Sequence, residues 1–203
     1  MAKTTEKGTP MTDRKQGLDQ LEQIQELNRL FLAFLRSSAR DGLDCLGLPD
    51  RARSVLLATK QDALDVLAEF PRALFRLAFD ERVPALAIDP LRSRHDGERY
   101  ALSLTILLCA WTLSRQSVYQ ARLLLGLESR AMQQLRAMQL GAIQHLAHAP
   151  HLVLCAFPDR PWLWPQLLVE TRPEGRQYLA LIALQPGIDK DWPASRTPAR
   201  LSL

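Results

Sequence analysis

The sequence predicts an all-α fold made of two copies of one helical module. When the chain is aligned with itself at an offset of 79 residues, thirteen of the 36 positions in 36–71 are identical to their counterparts in 115–150. Composition alone would give about four identities. Within each copy, apolar residues recur at intervals of three and four, the spacing of amphipathic helices. We therefore expect a tandem duplication of a helical module, with at most one short extended arm in each repeat.

The clearest part of the repeat is a short turn followed by a helix. The segment CLGLPDRARSVLLA from Cys45 aligns with LLGLESRAMQQLRA from Leu124. Beyond Pro71 the offset falls to 78, so that residues 78–79 align with 156–157. Later matches pair Arg82 with Arg160, Gly97 with Gly175 and Tyr100 with Tyr178. The repeated unit is therefore close to 79 residues long.

This repeat divides the chain into four parts. We expect a disordered tail at 1–17, a first module at 18–97, a second module at 98–185 and a flexible tail at 186–203. A helix at 100–120 opens the second module and, by the alignment, also closes the first. Because that helix is apolar nearly all round, it should be buried on several sides. The prediction is a pseudo-twofold intramolecular dimer that packs around this shared helix.

The first module opens with an amphipathic helix. Apolar residues at the three-and-four spacing cover 21–35, and polar residues lie between them. Gly42 and the turn at Gly47 should end or bend this helix. Pro49 suits the first position of a short helix that reaches about Ala58.

A second short helix and an extended segment complete the module. Thr59 is expected to cap the second helix, with Asp62 as the acidic half of a capping box. Pro71 closes that helix, because the residue before a proline avoids the α region. The segment 71–79 alternates in part between apolar and polar residues and predicts a short strand or arm. Residues 80–97 are rich in Pro, Asp and Arg and predict a loop.

Charge and cysteine usage bound the class of protein. The formal net charge is +4, and 21 of the 26 basic residues are Arg, which suits phosphate or carboxylate partners but also follows from a GC-rich genome. Three widely spaced cysteines without a CxxC pair indicate neither a disulfide framework nor a Cys-rich zinc site. The longest apolar run, at 101–113, is too short to span a bilayer, and the N-terminus has no secretory signal. We expect a cytoplasmic protein without membrane contact.

Three histidines form the one arrangement that could hold a metal. His145, His148 and His151 are spaced so that two of them lie one helical turn apart. Pro150 interrupts the helix, however, and the first copy has Val66, Glu69 and Arg72 at the matching positions. A solvated histidine face is the favoured alternative, which leaves His145 and His148 as the metal candidates. No catalytic or cofactor-binding motif is present, so we expect no enzyme activity and no cofactor.

Four arginines recur at matching places in the two copies and are candidates for contact with DNA or a partner. They are Arg36 with Arg115, and Arg51 with Arg130. The alternative is that they cap carboxylates within each module. Both alternatives are compatible with the sequence.

Two further features could contact DNA or a partner. Trp162 and Trp164, flanked by prolines, could form an exposed partner-binding patch or a lid over the second core. The segments 49–69 and 128–148 have the size of a helix-turn-helix. Their second helices carry few basic residues, so a helical hairpin packed on the long helix is favoured over a DNA reader.

The order of these segments resembles the flagellar transcriptional regulator FlhD family. The shared pattern is a Leu-rich helix, a polar turn with Leu-Gly-Leu, two short helices and an extended aromatic stretch. The first copy supplies it as LNRLFLAFLRSSARDGLDCLGL, LLATKQDALDVLAE and LFRLAFD, and the second as LSRQSVYQARLLLGL, LRAMQLGAIQHLA and LVLCAF. The resemblance covers roughly 24–184, and order and spacing carry it rather than any single motif.

This resemblance implies a fold and a function. The FlhD family is all-helical and dimeric, acts with a zinc-bearing FlhC-like partner protein to activate promoters, and has relatives on plasmids and conjugative elements. It implies that this chain is a built-in dimer that joins such a partner in a DNA-binding complex and activates transcription. Family members carry one module, however, and the C-terminal region here is rich in Trp and Pro. These departures leave open an anti-activator that binds the same partner, an adaptor or chaperone-like module without DNA contact, and further homo-oligomerisation.

Overall fold

The computed structural model describes residues 11–79 and 94–184 and confirms a mostly helical fold. The elements in chain order are α1 (Met11–Arg40), α2 (Asp50–Ala58), α3 (Gln61–Ala68), β1 (Phe75–Leu77), α4 (Arg94–Gln116), α5 (Val118–Leu125), α6 (Ser129–Ala137), α7 (Leu140–Leu146), β2 (Val153–Cys155), α8 (Leu163–Val169) and α9 (Pro173–Leu184). The two strands pair with each other in one small sheet. Most of the loop expected at 80–97 and the tail expected at 186–203 lie outside the described residues.

Within these ranges, no helix combines the length and the apolar character that crossing a bilayer would require.

Helix α1 is longer than the sequence pattern predicted. It begins at Met11, whereas the first module was expected to begin at 18, and residues 1–10 lie outside the described residues. The added residues include Arg14, Lys15 and Gln16, which are good helix formers. Their polar character hid the helix from a search for apolar periodicity. Most of the predicted apolar face is buried, whereas Leu30 is exposed. The helix ends at Arg40 just before Gly42, which has a positive φ of 74°.

The hairpin of α2 and α3 is present, but its predicted caps are wrong. Pro49 is the N-cap residue of α2 rather than its first helical residue. Thr59 does not cap α3, because its hydroxyl donates to the carbonyl of Val55 at 2.8 Å and so closes α2 instead. The residue before α3 is Lys60, which makes no side-chain capping bond. A threonine between two short helices can serve either one, and here it bonds back into the helix that precedes it.

Helix α4 lies at the centre of the molecule. Ile106, Leu107 and Ala110 are fully buried, and α4 contacts α1, α6 and α7, so the predicted burial on several sides is confirmed. The prediction of one continuous helix over 100–120 is wrong. The helix stops at Gln116, and Ser117 caps α5 by accepting a hydrogen bond from the Gln120 amide at 3.3 Å.

The elements of the two copies recur at the offsets found in the sequence. Helix α6 has the bounds of α2 shifted by 79 residues, and β2 has the bounds of β1 shifted by 78. The strands are antiparallel, and Arg76 faces Leu154, its own counterpart in the repeat. The amide of Ala78 donates to the Leu152 carbonyl at 2.8 Å, and the counterpart bond, from Ala156 to Leu74, is 2.9 Å long. This reciprocal pairing is what a local twofold axis requires, whereas the duplication itself stays a prediction.

The two copies are also interleaved. Helix α8 belongs to the second module by sequence but packs on α2 and α3 of the first. The tilted contact of Trp164 with Phe31, with ring centroids 6.5 Å apart, lies at this crossing. One continuous hydrophobic core therefore serves both copies.

Candidate functional site

Arg36 and Arg115 support the same corner of their respective hairpins in different ways. Arg36 donates to the Thr59 carbonyl at 3.1 Å and to the Gln61 side chain at 2.9 Å. In the second copy the matching carbonyl, that of Met138, accepts a bond from the Trp111 indole at 3.2 Å. The Arg115 guanidinium lies over that indole, 4.8 Å from its ring centroid. Neither arginine caps a carboxylate in these contacts, and Arg36 is engaged inside the protein.

Arg51 and Arg130 lie at matching positions on α2 and α6, and both are exposed. Their predicted contact with DNA or a partner stays a prediction.

The two tryptophans do not form the exposed pair that was one of the predicted alternatives. Trp164 is only 1% exposed, and its indole donates to the Ala156 carbonyl at 2.8 Å. Trp162 is half-buried and packs against the same core. The exposed-patch prediction is therefore wrong for Trp164. It covers the core where α8 crosses onto the first module, a long-range contact that local sequence cannot reveal.

The histidines lie at the end of α7. His145 is exposed, and His148 is half-buried with its ring stacked on Tyr100 at a centroid distance of 4.2 Å. Among the described residues, no group of three or more His, Cys, Asp or Glu side chains is arranged to hold a metal ion.

The structure contains a cleft that the sequence analysis did not predict. It has a volume of about 1080 Å³ and lies where the end of the first module meets α5, the loop after β2 and the end of α9. Four arginines line it, namely Arg72, Arg76, Arg122 and Arg160, against two acidic residues, Glu128 and Asp159. The cleft is therefore lined by more positive than negative charge.

Two of these arginines hold the C-terminal end of α9. Arg72 donates to the Ala183 carbonyl at 2.7 Å, and Arg160, which is 6% exposed, donates to the Ile182 carbonyl. Cations at this end of a helix satisfy its last carbonyls and complement its dipole. The Phe157 ring lies 5.9 Å from the Arg72 guanidinium. The floor of the cleft is therefore built from fixed side chains.

Two of the arginines of the cleft are poorly solvated. Burial lowers the pKa of Arg72, and the positive charge of Arg160 lowers it further. The buried Nε of Arg76 has no hydrogen-bond partner within the described part of the chain. Buried cationic groups of this kind favour a negatively charged ligand, because such a ligand replaces the solvation that they have lost.

Part of the rim of the cleft is apolar and exposed. Tyr119 is 73% exposed, Leu123 42% and Leu184 41%. Sequence analysis missed the site because its arginines come from separate segments that only the fold brings together. The one available signal was the recurrence of Arg160 at the position that matches Arg82 in the first copy.

No protein-family model matches the chain, and comparisons with curated proteins and with solved structures find no match either. The resemblance to the FlhD family therefore stays a prediction from the order and spacing of the repeated segments.

Proposed function

We propose that this chain is a cytoplasmic, non-enzymatic subunit of a transcription regulator that works through a partner protein. In this proposal the two copies take the place of an FlhD dimer. The chain joins an FlhC-like zinc-binding partner, and the complex binds promoter DNA and activates transcription.

The observation that carries the proposal is the reciprocal pairing of the two copies. Strands β1 and β2 meet with Arg76 opposite Leu154, and matching hydrogen bonds flank that pair on both sides. A single chain that pairs with itself in this way has the surface relations of a symmetric homodimer. That arrangement supports a built-in dimer, which is what the family resemblance implies.

The composition of the two helical hairpins supports the proposal that the partner makes most of the contact with DNA. Helices α3 (QDALDVLA) and α7 (LGAIQHL), the second helices of the two hairpins, contain neither arginine nor lysine. Helices that read DNA in the major groove use such residues to contact phosphates and guanine. Most of the DNA contact is therefore assigned to the partner.

The test compares DNA binding by the chain alone and by its complex. The chain is co-expressed with the FlhC-like protein encoded nearest to it, and binding to labelled promoter DNA is measured by fluorescence anisotropy at low and high salt. The complex should bind with an affinity that falls as salt rises, and the chain alone should bind weakly. A stable complex that fails to bind DNA would contradict the proposal.

A second candidate is an adaptor or anti-activator that binds a partner without touching DNA. The observation that favours it is the apolar rim of the cleft, because exposed apolar side chains around a pocket are typical of protein-binding sites. A promoter fusion separates the two functions. Expression of the chain raises reporter output if it is an activator subunit and lowers it if it is an anti-activator.

A further inference from the structure

We propose that the arginine-lined cleft binds an acidic amphipathic helix of the partner protein. The apolar side of that helix contacts Tyr119, Leu123 and Leu184, and its carboxylates bond to the arginines below. This inference rests on the proposed function, because it names the part of the partner that docks on the chain.

The apolar rim has the form of one wall of a helix-binding groove. Tyr119 and Leu123 are four residues apart on α5 and so lie on the same side of that helix. Leu184 lies at the end of α9 and lines the same cleft. A helix laid in such a groove buries apolar residues spaced three and four apart, the usual mode of helix recognition.

The charges of the cleft decide the character of the ligand. Arg122 is exposed near the opening, while Arg72 and Arg76 lie deeper. Glu128 and Asp159 balance only part of this charge. Guanidinium groups bind carboxylates bidentately. A helix with Glu or Asp beside its apolar stripe therefore matches both the positive charge of the cleft and the apolar side chains at its rim. Duplex DNA would satisfy the arginines but leave the apolar rim exposed.

The two copies have diverged at this surface, so the site occurs at one end of the described pseudo-dimer. In the repeat, Tyr119 corresponds to Arg40, Leu123 to Asp44 and Arg76 to Leu154. Asp44 is itself paired with Arg99 at 3.6 Å. The matching surface, formed by Arg40 and Asp44 of the first copy with Leu154 of the second, thus lacks these two apolar side chains and the deep arginine. We therefore expect one partner helix per chain rather than two.

The inference is tested with two labelled helical peptides and the full chain. One peptide carries leucines at the three-and-four spacing with glutamates on the flanks, and the other has lysine at each glutamate position. Fluorescence anisotropy should show the acidic peptide binding about tenfold more tightly, with one peptide per chain. Arg122→Glu and, separately, Tyr119→Ala should each weaken that binding about tenfold.

The matched control is Arg136→Glu, which reverses an exposed arginine that does not line the cleft and should leave the affinity within about twofold. Circular dichroism establishes that each variant is folded, and Arg122→Gln and Tyr119→Ser serve if either of the first two fails to fold. Equal binding of the two peptides, or acidic-peptide binding that ignores the changes at positions 119 and 122, would overturn the inference. So would a cleft that binds duplex DNA in place of the acidic peptide.

The partner complex separates this inference from the proposed function. If Arg122→Glu loses the peptide but still forms the FlhC-like complex with unchanged affinity, the cleft is not the docking site and the inference fails while the proposed function stands. If no FlhC-like protein joins the unaltered chain but the acidic peptide binds as expected, the proposed function fails. The assignment of the cleft as a site for an acidic amphipathic helix then still holds.

Discussion

Asn28 is a buried amide where α1 passes beneath the end of the first hairpin. Its Nδ2 donates to the carbonyl of Arg72 at 3.0 Å and to those of Ala68 and Phe70 at 3.3 Å, and its Oδ1 accepts from the Leu74 amide at 2.9 Å. One side chain thereby satisfies main-chain groups that lead from α3 into β1. A buried polar group of this kind is stabilising only while its bonds are intact.

Replacing this amide should destabilise the fold. Asn28→Leu leaves the Leu74 amide and the hairpin carbonyls without their partner, and we expect the free energy of unfolding to fall by about 2–3 kcal/mol. Urea denaturation followed by circular dichroism measures the change. Gln23→Leu, an exposed substitution on the same helix, should change stability by less than about 0.5 kcal/mol. Equal effects of the two substitutions would contradict the structural role of Asn28.

Two matching glycines allow a controlled test of the turn that each copy contains. Gly47 and Gly126 both have positive φ, 78° and 66°, but only at Gly126 would an added Cβ collide with the Arg72 guanidinium. Gly47→Ala should cost about 1–2 kcal/mol from backbone strain. Gly126→Ala should cost more than this, because the Arg72 guanidinium, which bonds to Ala183, must also move away from the added Cβ. Equal losses in thermal or urea denaturation would show that Arg72 moves without cost.

The buried thiols should be unreactive in the folded protein. Burial raises the pKa of Cys155, and the neighbouring Cys45 and Asp44 raise it further. Because the thiolate is the reactive form, alkylation by iodoacetamide at mildly alkaline pH should be slow in the native state and fast in denaturant. Mass spectrometry after timed quenching gives the rate at each cysteine. Rapid native labelling of Cys155 would mean that β2 opens readily.

At the scale of elements, the repeat predicted where helices occur better than how they end. The bounds of α2 and α6 follow from the aligned Leu and Ala positions, because a buried helical face needs that periodicity. The ends of the helices depend on the hydrogen bonds of single hydroxyl groups, and two of these bonds differ from the predicted ones. Thr59 bonds back to Val55, and Ser117 starts a new helix where a continuous one was expected. Local sequence offers both options at each place, and only packing selects one.

The burial of Trp164 could not be predicted from its neighbours along the chain. It follows from α8 crossing onto α2 and α3, which lie far earlier in the chain. The arginines of the cleft escaped the sequence analysis for the same reason, whereas burial of the 100–116 region was apparent from its continuous apolar character. Features that depend on one periodic segment were therefore predictable, and those that join distant segments were not.

Trp164 itself should be a large contributor to stability. Trp164→Ala opens a cavity beside Phe31 and removes the bond to Ala156, so we expect a loss of about 3–5 kcal/mol in urea denaturation. Trp162→Ala, at a half-buried position on the same turn, should cost clearly less. Unchanged stability of the Trp164→Ala protein would contradict the burial of Trp164 in the core.

At the scale of the whole molecule, neither copy should fold by itself. The strands pair across the copies, and α8 of the second packs on the first. We expect separate fragments 11–79 and 94–184 to be largely unfolded alone and to regain helical content when mixed. Circular dichroism and size-exclusion chromatography of each fragment and of the mixture measure this. A fragment that folds to a cooperative monomer on its own would refute the interleaved arrangement.

The central position of α4 has a consequence for how such a protein can change. In a homodimer every substitution occurs in both subunits. A surface therefore cannot change its specificity for one partner without the same change in the equivalent surface of the other subunit. Here a single helix joins two unequal halves, and Leu154 can stand where the other half has Arg76. Each flank is free to acquire its own specificity, so a single polypeptide can hold two dissimilar neighbours in a fixed orientation.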